Sequence, residues 1–203
     1  MHSSTLPGAL YEGSPCVNCS PLVHRLHRRI QELEALSHTD ELTNLPNRRS
    51  FTETLARAIT HARRTQSPLT IALLDVDHFK AINDNYGHNA GDVVLETLAK
   101  ILEKSVRGED HVSRIGGEEF AIILIDTDLD FAEGYIGRLL KKIESDLKVV
   151  LNPGTTISAT VSIGVAKMDA AETSLSLLER VDRALYAAKN DGRNRMVIAP
   201  LAK

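Results

Sequence analysis

The stretch Ile115-Gly-Gly-Glu-Glu-Phe120 joins two apolar strand candidates, Val112–Ile115 and Glu119–Ile125. Glycines and glutamates between two such strands predict a tight β-hairpin, in which the glycines allow positive φ and a close backbone approach. The two glutamates then lie at the turn. An exposed turn without function is the simpler interpretation of this stretch taken alone.

Helix and strand patterns continue on both sides of this hairpin. Helices are predicted over about 47–65, 89–106, 128–148 and 173–190, and further strands over Leu69–Val76, Thr156–Ala166 and Met196–Ala199. The elements alternate without a strict βαβ repeat. This order predicts an α+β domain with one mixed central sheet flanked by helices.

The strand candidate Leu69–Val76 is apolar and ends near two carboxylates, Asp75 and Asp77. An acid at the end of a buried strand costs free energy unless it meets a cation or hydrogen-bond donors, although the strand end can also simply reach solvent. Placed beside the hairpin glutamates, these acids would form an oxygen site of the kind Mg²⁺ prefers. The cations available for phosphate groups are Lys80, Lys189, Arg193 and Arg195.

Bulk properties limit the possible functions. The chain has 203 residues and a net charge of -3, which fits one domain with an appendage and gives no support for non-specific nucleic-acid binding. No secretory signal and no apolar run of the ~20 residues needed for a membrane span is present, so a cytoplasmic location is expected. No Walker-type glycine loop with Lys-Ser/Thr occurs.

The N-terminal part divides into a loose arm over 1–21 and a predicted helix over 22–38, ahead of a globular domain over 39–203. The helix carries coiled-coil spacing at Val23, Leu26, Ile30 and Leu33, with Arg29 and Glu34 at flanking charged positions. A short amphipathic helix on its own domain is the alternative.

Four residues of this region could also hold zinc, namely Cys16, Cys19, His24 and His27. A redox pair, an inter-chain site or an arm without ligand are the alternatives.

Several segments match one known family in order. They are Asp40-Glu-Leu-Thr-Asn-Leu-Pro-Asn-Arg-Arg49, Leu74-Asp-Val-Asp-His-Phe-Lys80, Asn83-Asp-Asn-Tyr-Gly-His88 with Gly91-Asp92, Arg114-Ile-Gly-Gly-Glu-Glu-Phe120, Val161-Ser-Ile-Gly-Val-Ala166, and Asp182-Arg-Ala-Leu-Tyr-Ala-Ala-Lys189 with Gly192-Arg-Asn-Arg195. Over about residues 38–199 the chain resembles the GGDEF family of diguanylate cyclases, in the Glu variant of its signature. The resemblance implies a fold like that of nucleotidyl cyclases and polymerase palms.

The resemblance also implies a catalytic site. Asp75, the carbonyl of Val76 and Glu118 would hold Mg²⁺, with Mn²⁺ as the other candidate ion. Glu118 is also the candidate base for the ribose 3′-hydroxyl, and Glu119 and Lys80 would support the reaction. Asp77 is interpreted as structural.

GTP binding is implied for a set of residues that would surround the nucleotide: Asn83 and Asp92 at the guanine edge, His88 in the same pocket, and Phe79, Lys80, Lys189 and Arg193 at the phosphates. Lys189 and Arg193 are four residues apart and would bind the triphosphate from one face of a helix end. Each has a plainer interpretation. Asn and Asp are common in turns and caps, a histidine can pack in a core, and cations are favoured at helix C-termini.

The implied reaction joins two GTP molecules into cyclic di-GMP with release of pyrophosphate. Each domain presents one GTP, so two domains must face each other, and a homodimer is expected. The helix over 22–38 would then raise the effective concentration of the second domain.

Arg107 and Asp110 match the family's R-x-x-D product-inhibition motif, and Arg138 is a further candidate for that site. A charged loop without this function is the alternative. A non-catalytic GGDEF module that binds GTP or cyclic di-GMP, and a cyclase with a mixed purine product, are the competing functions.

Overall fold

The computed structural model describes residues 38–201. Outside the described residues lie the predicted arm and, apart from His38, the predicted helix over 22–38. The same holds for the candidate zinc ligands Cys16, Cys19, His24 and His27. Within residues 38–201 no helix is long and apolar enough to cross a membrane.

Five helices and seven strands form the domain described here. In chain order they are α1 Arg48–Thr65, β1 Leu69–Val76, α2 Phe79–Tyr86, α3 His88–Glu103, β2 His111–Arg114, β3 Glu119–Ile125, α4 Leu129–Asp146, β4 Lys148–Asn152, β5 Thr155–Ser158, β6 Val161–Lys167, α5 Ser174–Asn190 and β7 Met196–Ile198.

The central sheet has the strand order β2-β3-β1-β6-β7, and β4 and β5 form a separate two-stranded sheet. All pairings in the large sheet are antiparallel except the parallel pair β6 and β7. The predicted mixed sheet flanked by helices is therefore confirmed. Strand β1 is buried along its whole length, because it lies in the middle of the sheet and both faces are covered.

Two apolar cores lie on opposite faces of the sheet. One contains side chains of α3 and α4 with the inner side of the β4–β5 hairpin, and the other contains side chains of α1 and α5. Gly164 in β6 has a specific role here, because an added Cβ would collide with the backbone of α5 at Val181 and Leu185. The glycine lets α5 cross the strand closely, which fixes where the C-terminal end of that helix lies.

The helix starts follow from local sequence. Asn47, Asp128 and Thr173 each accept a main-chain N–H from the first turn of α1, α4 and α5, respectively. The strand predicted over Thr156–Ala166 was wrong as a single element. It divides into β5 and β6, because β5 turns away to pair with β4.

Candidate active site

The end of β1 and the β2–β3 hairpin lie side by side at one edge of the sheet. Asp75 is paired in register with Glu119, and the main-chain N–H of Val76 donates to the carbonyl of Glu118 at 3.2 Å. The structure therefore places the end of β1, which carries Asp75, next to the glycine–glutamate turn, as the sequence predicts.

The hairpin glycines show the predicted close approach but not the predicted positive φ. Neither Gly116 nor Gly117 has a positive φ. Instead, a Cβ on Gly116 would collide with the carboxyl group of Glu119, which lies over this glycine. The glycine therefore leaves room for the Glu119 carboxyl group rather than providing an unusual backbone angle.

Burial raises the pKa of both central carboxyls. Asp75 is 5% exposed, and burial is the largest cause of its raised pKa; the Lys189 ammonium, with Nζ 2.8 Å from Oδ2, opposes this effect without cancelling it. Burial also raises the pKa of Glu118, and the negative charge of Asp75 adds to it. Ionisation of these two neighbouring carboxyls costs free energy, and a bound divalent cation would offset that cost.

The donor chemistry fits Mg²⁺. In the 38–201 segment no group of three or more His, Cys, Asp or Glu side chains has metal-binding geometry. Mg²⁺ is commonly bound by one or two carboxylates, with waters and substrate phosphates completing its octahedral shell. Asp75 and Glu118 supply such a carboxylate pair, so the residues suit an ion that arrives with a nucleotide.

Asp77 differs from Asp75 because its charge is already satisfied. Its carboxylate accepts hydrogen bonds from Thr160 Oγ1 at 2.7 Å, from Ser162 Oγ at 2.6 Å and from the main-chain N–H of Asn194 at 3.0 Å. The interpretation of Asp77 as a structural residue agrees with these contacts.

The two expected phosphate-binding cations do not share a helix. Lys189 lies in the last turn of α5, but the helix ends at Asn190 and Arg193 follows it in a turn with φ 60°. The expectation that the two side chains project from one helix end was therefore wrong. Lys189 pairs directly with Asp75, and the positive charge of Arg193 lowers the pKa of that carboxyl slightly, although burial leaves this pKa raised.

The expected guanine-binding residues lie on α2 and α3. The side-chain Oδ1 of Asn83 is buried without a hydrogen-bond partner, and it packs against Gly91, where a Cβ would collide with it. His88 and Asp92 are exposed in the first turns of α3. A buried acceptor without a donor is costly, and an N–H group of a bound base could satisfy it.

The remaining expected site residues are in the turn after β1. Phe79 is 8% exposed and packs in the core, which leaves its main chain as the group available to a ligand. Lys80 is exposed beside it. Both lie at the start of α2, an element that the sequence patterns did not predict.

The hairpin is braced by two residues to which the sequence assigned no role. Arg114 donates to the carbonyl of Gly117 through Nε at 3.2 Å and Nη2 at 2.7 Å, and through Nη1 to Asp40 Oδ1 at 2.8 Å. Thr43 in turn donates to Asp40 from its main chain and its hydroxyl. The signal was available, because Asp40 and Arg114 both belong to the matched motifs.

The expected inhibitory residues lie in the loop after α3 and on α4. The guanidinium of Arg107 lies over the exposed ring of Phe131, 5.9 Å from its centroid. Arg138 lies two turns further along the same face of α4, with Nη1 3.6 Å from where a Cβ on Gly134 would be. Asp110 is buried, and its carboxylate accepts the main-chain N–H groups of Ile125 and Arg107.

The fold and this edge define a class of protein: a palm-like α+β domain with an acidic, lysine-paired site at the end of its central strand. The family described as diguanylate cyclase, GGDEF domain, matches residues 37–195. The chain belongs to the GGDEF family.

Known relatives agree with this assignment. The chain is 38% identical over 176 residues to diguanylate cyclase DgcP of Pseudomonas aeruginosa, covering 85% of this chain and 26% of DgcP. It is 36% identical over 193 residues to diguanylate cyclase A of Treponema denticola, covering 93% of this chain and 51% of that protein. The chain thus spans about half or less of the length of these relatives.

A solved structure is also similar. The coiled coil and GGDEF domain of DgcB from Caulobacter crescentus, in complex with c-di-GMP, superposes with a TM-score of 0.76 at 32% identity. The match covers 88% of this chain and 94% of that one.

Proposed function

We propose that this protein is a diguanylate cyclase, which condenses two GTP molecules into cyclic di-GMP and releases pyrophosphate. The observation that carries the proposal is the buried Asp75 beside Glu118, with the Lys189 ammonium 2.8 Å from Asp75. Active sites for nucleotidyl transfer commonly combine carboxylates that bind a metal ion with cations that bind phosphates. Relatives named diguanylate cyclase support the assignment.

The metal site would consist of Asp75, Glu118 and the carbonyl of Val76. A bound Mg²⁺ or Mn²⁺ would neutralise the triphosphate and lower the pKa of the attacking 3′-hydroxyl. Glu118, whose pKa is raised by burial and by Asp75, is suited to accept the hydroxyl proton, because a base works best with a pKa closer to the working pH. Glu119 and Lys80 would support the metal and the phosphates from either side.

The nucleotide would lie between the sheet edge and α2. Lys189 would move from Asp75 towards the triphosphate when a metal ion takes over the charge of that carboxylate. Asn83 would accept an N–H of guanine at its unpaired Oδ1, with Asp92 and His88 completing the pocket from α3. A carboxylate that accepts from guanine N1–H and N2–H₂ selects guanine over adenine, and this favours cyclic di-GMP over a mixed purine product.

Turnover would need a homodimer. One domain holds one GTP, and the 3′-hydroxyl of each must reach the α-phosphorus of the other, so two domains have to face each other. The domain over 39–203 is proposed as the catalytic unit and the helix over 22–38 as the pairing element. A cytoplasmic location, where GTP is available, fits this activity.

Product inhibition is proposed for the surface around Arg107. Its guanidinium is oriented by the Phe131 ring, and Arg138 adds a second positive charge on the same side. Two arginines beside an aromatic ring suit a ligand with phosphates and purine bases. Asp110 would act mainly by holding the loop, because both of its oxygens already accept main-chain N–H groups, and it would meet guanine only through its remaining acceptor capacity.

The activity is tested by incubating the protein with GTP and Mg²⁺ and measuring cyclic di-GMP and pyrophosphate. Glu118→Gln should abolish both products, while Glu103→Gln, an exposed acid at the end of α3, should leave them unchanged. Specific activity should rise with protein concentration, because the active species is a dimer. Absence of product at every concentration would refute the cyclase and leave a nucleotide-binding module.

Inhibition is tested separately by adding cyclic di-GMP to the assay. Arg107→Ala should keep its turnover and lose the inhibition, whereas Lys104→Ala, a nearby exposed cation, should behave as the unmodified protein. Unchanged inhibition in Arg107→Ala would refute this regulatory site without affecting the cyclase proposal.

A further inference from the structure

We propose that Asp77 is a positioning residue for phosphate binding, which holds the turn Gly192–Arg195 and thereby fixes the position of Arg193 relative to the end of β1. The inference rests on the proposed nucleotide site and adds to it. It gives the second acid at the end of β1 a role that involves no contact with substrate or metal ion.

The turn after α5 is conformationally costly. Three consecutive residues have positive φ: Gly192 at 113°, Arg193 at 60° and Asn194 at 46°. Residues other than glycine pay for a left-handed conformation because Cβ crowds the backbone. Such a turn persists only when contacts with the surrounding structure hold it.

Several contacts hold this turn, and the one from Asp77 is partly buried. The main-chain N–H of Ile163 donates to the carbonyl of Arg195 at 2.9 Å, and Arg195 Nε donates to the carbonyl of Arg193 at 3.1 Å. The main-chain N–H of Asn194 donates to Asp77 Oδ2 at 3.0 Å, and Asp77 is 5% exposed. The N–H of Arg193 donates to the carbonyl of Ala188 in the preceding helix at 3.0 Å. The side chain of Asn194 also donates to Glu144, but that contact is exposed to solvent, and its own Oδ1 is buried without a partner.

Asp77 can hold the turn because it is itself fixed. Thr160 and Ser162 donate their hydroxyls to its two oxygens, and its main-chain N–H donates to the carbonyl of Thr160 at 2.9 Å. The carboxylate therefore has one orientation, set by the segment that begins β6. A hydrogen bond to an ionised acceptor is roughly twice as strong as a neutral one.

The consequence is a fixed relation between two functional groups. Asp75 precedes Asp77 by two residues, and the Asp77–Asn194 bond connects that strand end to the turn that carries Arg193. Arg193 directly precedes Asn194, so the bond to Asn194 also limits where the side chain of Arg193 begins. Loss of the bond would let the turn relax and would move the guanidinium away from the triphosphate.

The experiment measures the Kd of α,β-methylene-GTP, a GTP analogue that cannot release pyrophosphate, together with KM and kcat for GTP. Asp77→Ala should weaken analogue binding about tenfold and raise KM similarly, with a smaller effect on kcat. Asp77→Asn keeps an oxygen that can face the Asn194 N–H, so its loss should be roughly threefold, a partial rescue. In an Arg193→Ala background, neither change at position 77 should weaken binding further.

Ser162→Ala is the matched control. It removes the hydroxyl that donates to Oδ1 of Asp77 but keeps the bonds from Thr160 and Asn194 to Oδ2, so it should lower thermal stability and change the Kd much less than Asp77→Ala does. If Asp77→Ala does not fold, the cycle between Asp77→Asn and Arg193→Ala carries the same test. Additive effects in the cycle, or equal weakening by Ser162→Ala, would overturn the inference.

The outcomes also separate this inference from the cyclase proposal. If the protein binds the analogue but makes no cyclic di-GMP, the proposed activity is refuted. The role of Asp77 can still be tested, because the Kd values of the double-mutant cycle do not depend on turnover. A wild-type protein that does not bind the analogue removes the nucleotide site and this inference with it.

Discussion

Replacement of Arg114 by methionine should both destabilise the domain and impair turnover. Methionine keeps much of the length of the side chain but removes its donors to Asp40 and to the carbonyl of Gly117. Gly117 directly precedes Glu118, so this brace holds the hairpin that carries the proposed base.

The magnitude follows from burial. The side chains of Arg114 and Asp40 are 13% and 24% exposed, which places the pair between a surface ion pair and a fully buried one. We expect about 1–2 kcal/mol from the pair and about 1 kcal/mol from the bonds to Gly117. With an m-value of about 2 kcal/mol/M, the urea midpoint should fall by roughly 1 M. A displaced hairpin should lower kcat by about tenfold to a hundredfold.

The stability difference should also depend on pH. Burial raises the pKa of Asp40, but hydrogen bonds from Thr43 and Arg114 outweigh it, so the pKa of Asp40 lies below its ordinary value of 3.8. A lowered pKa contributes stability above that value, which is lost as the pH falls through the lower folded-state pKa. The gap between the wild type and Arg114→Met should therefore be largest near neutral pH and narrow below about pH 4.

The assay is urea unfolding followed by circular dichroism, with kcat measured on the same preparations. Asp40→Asn should reproduce most of the loss, and the double variant should be little worse than either single variant. Glu53→Gln, which removes an exposed ion pair with Arg49, should leave the midpoint and kcat unchanged. An Arg114→Met protein with the wild-type midpoint and full turnover would show that the hairpin needs no brace.

Three further predictions concern the site and the core. Glu118→Gln should abolish turnover. It should also raise the urea midpoint of the metal-free protein at neutral pH, because a group whose pKa is raised in the folded state loses stability when it ionises as the pH rises. A lower midpoint would contradict this. Arg180→Met should cost about 3–5 kcal/mol in unfolding free energy, because it leaves the buried Glu172 without its bidentate partner; a loss below 1 kcal/mol would show that Glu172 finds other compensation. Asn83→Ala should raise KM for GTP and reduce discrimination against ATP in competition assays, and unchanged discrimination would remove Asn83 from the guanine pocket.

Sequence patterns were sufficient where local chemistry controls the element. Strand β1 was predicted with its observed limits, because eight buried residues in a central strand leave a clear apolar run. The β4–β5 hairpin was missed although Asn152-Pro-Gly154 is a turn signal, because β4 is short and half exposed. Helix α2 was missed because its eight residues are too few for a helical period to stand out.

For the site, too, some features follow from the sequence and others only from the tertiary structure. The sequence alone determined which groups are present, their order along the chain and the strand and hairpin that carry Asp75 and Glu118. The tertiary structure alone decided that Lys189 pairs with Asp75, that Arg193 lies beyond the helix, and that Asp77 binds the turn after α5. The Asp77 and Arg114 contacts join residues 117 and 74 positions apart. No local pattern encodes such pairs, because they depend on how the sheet registers and on how closely α5 packs across it.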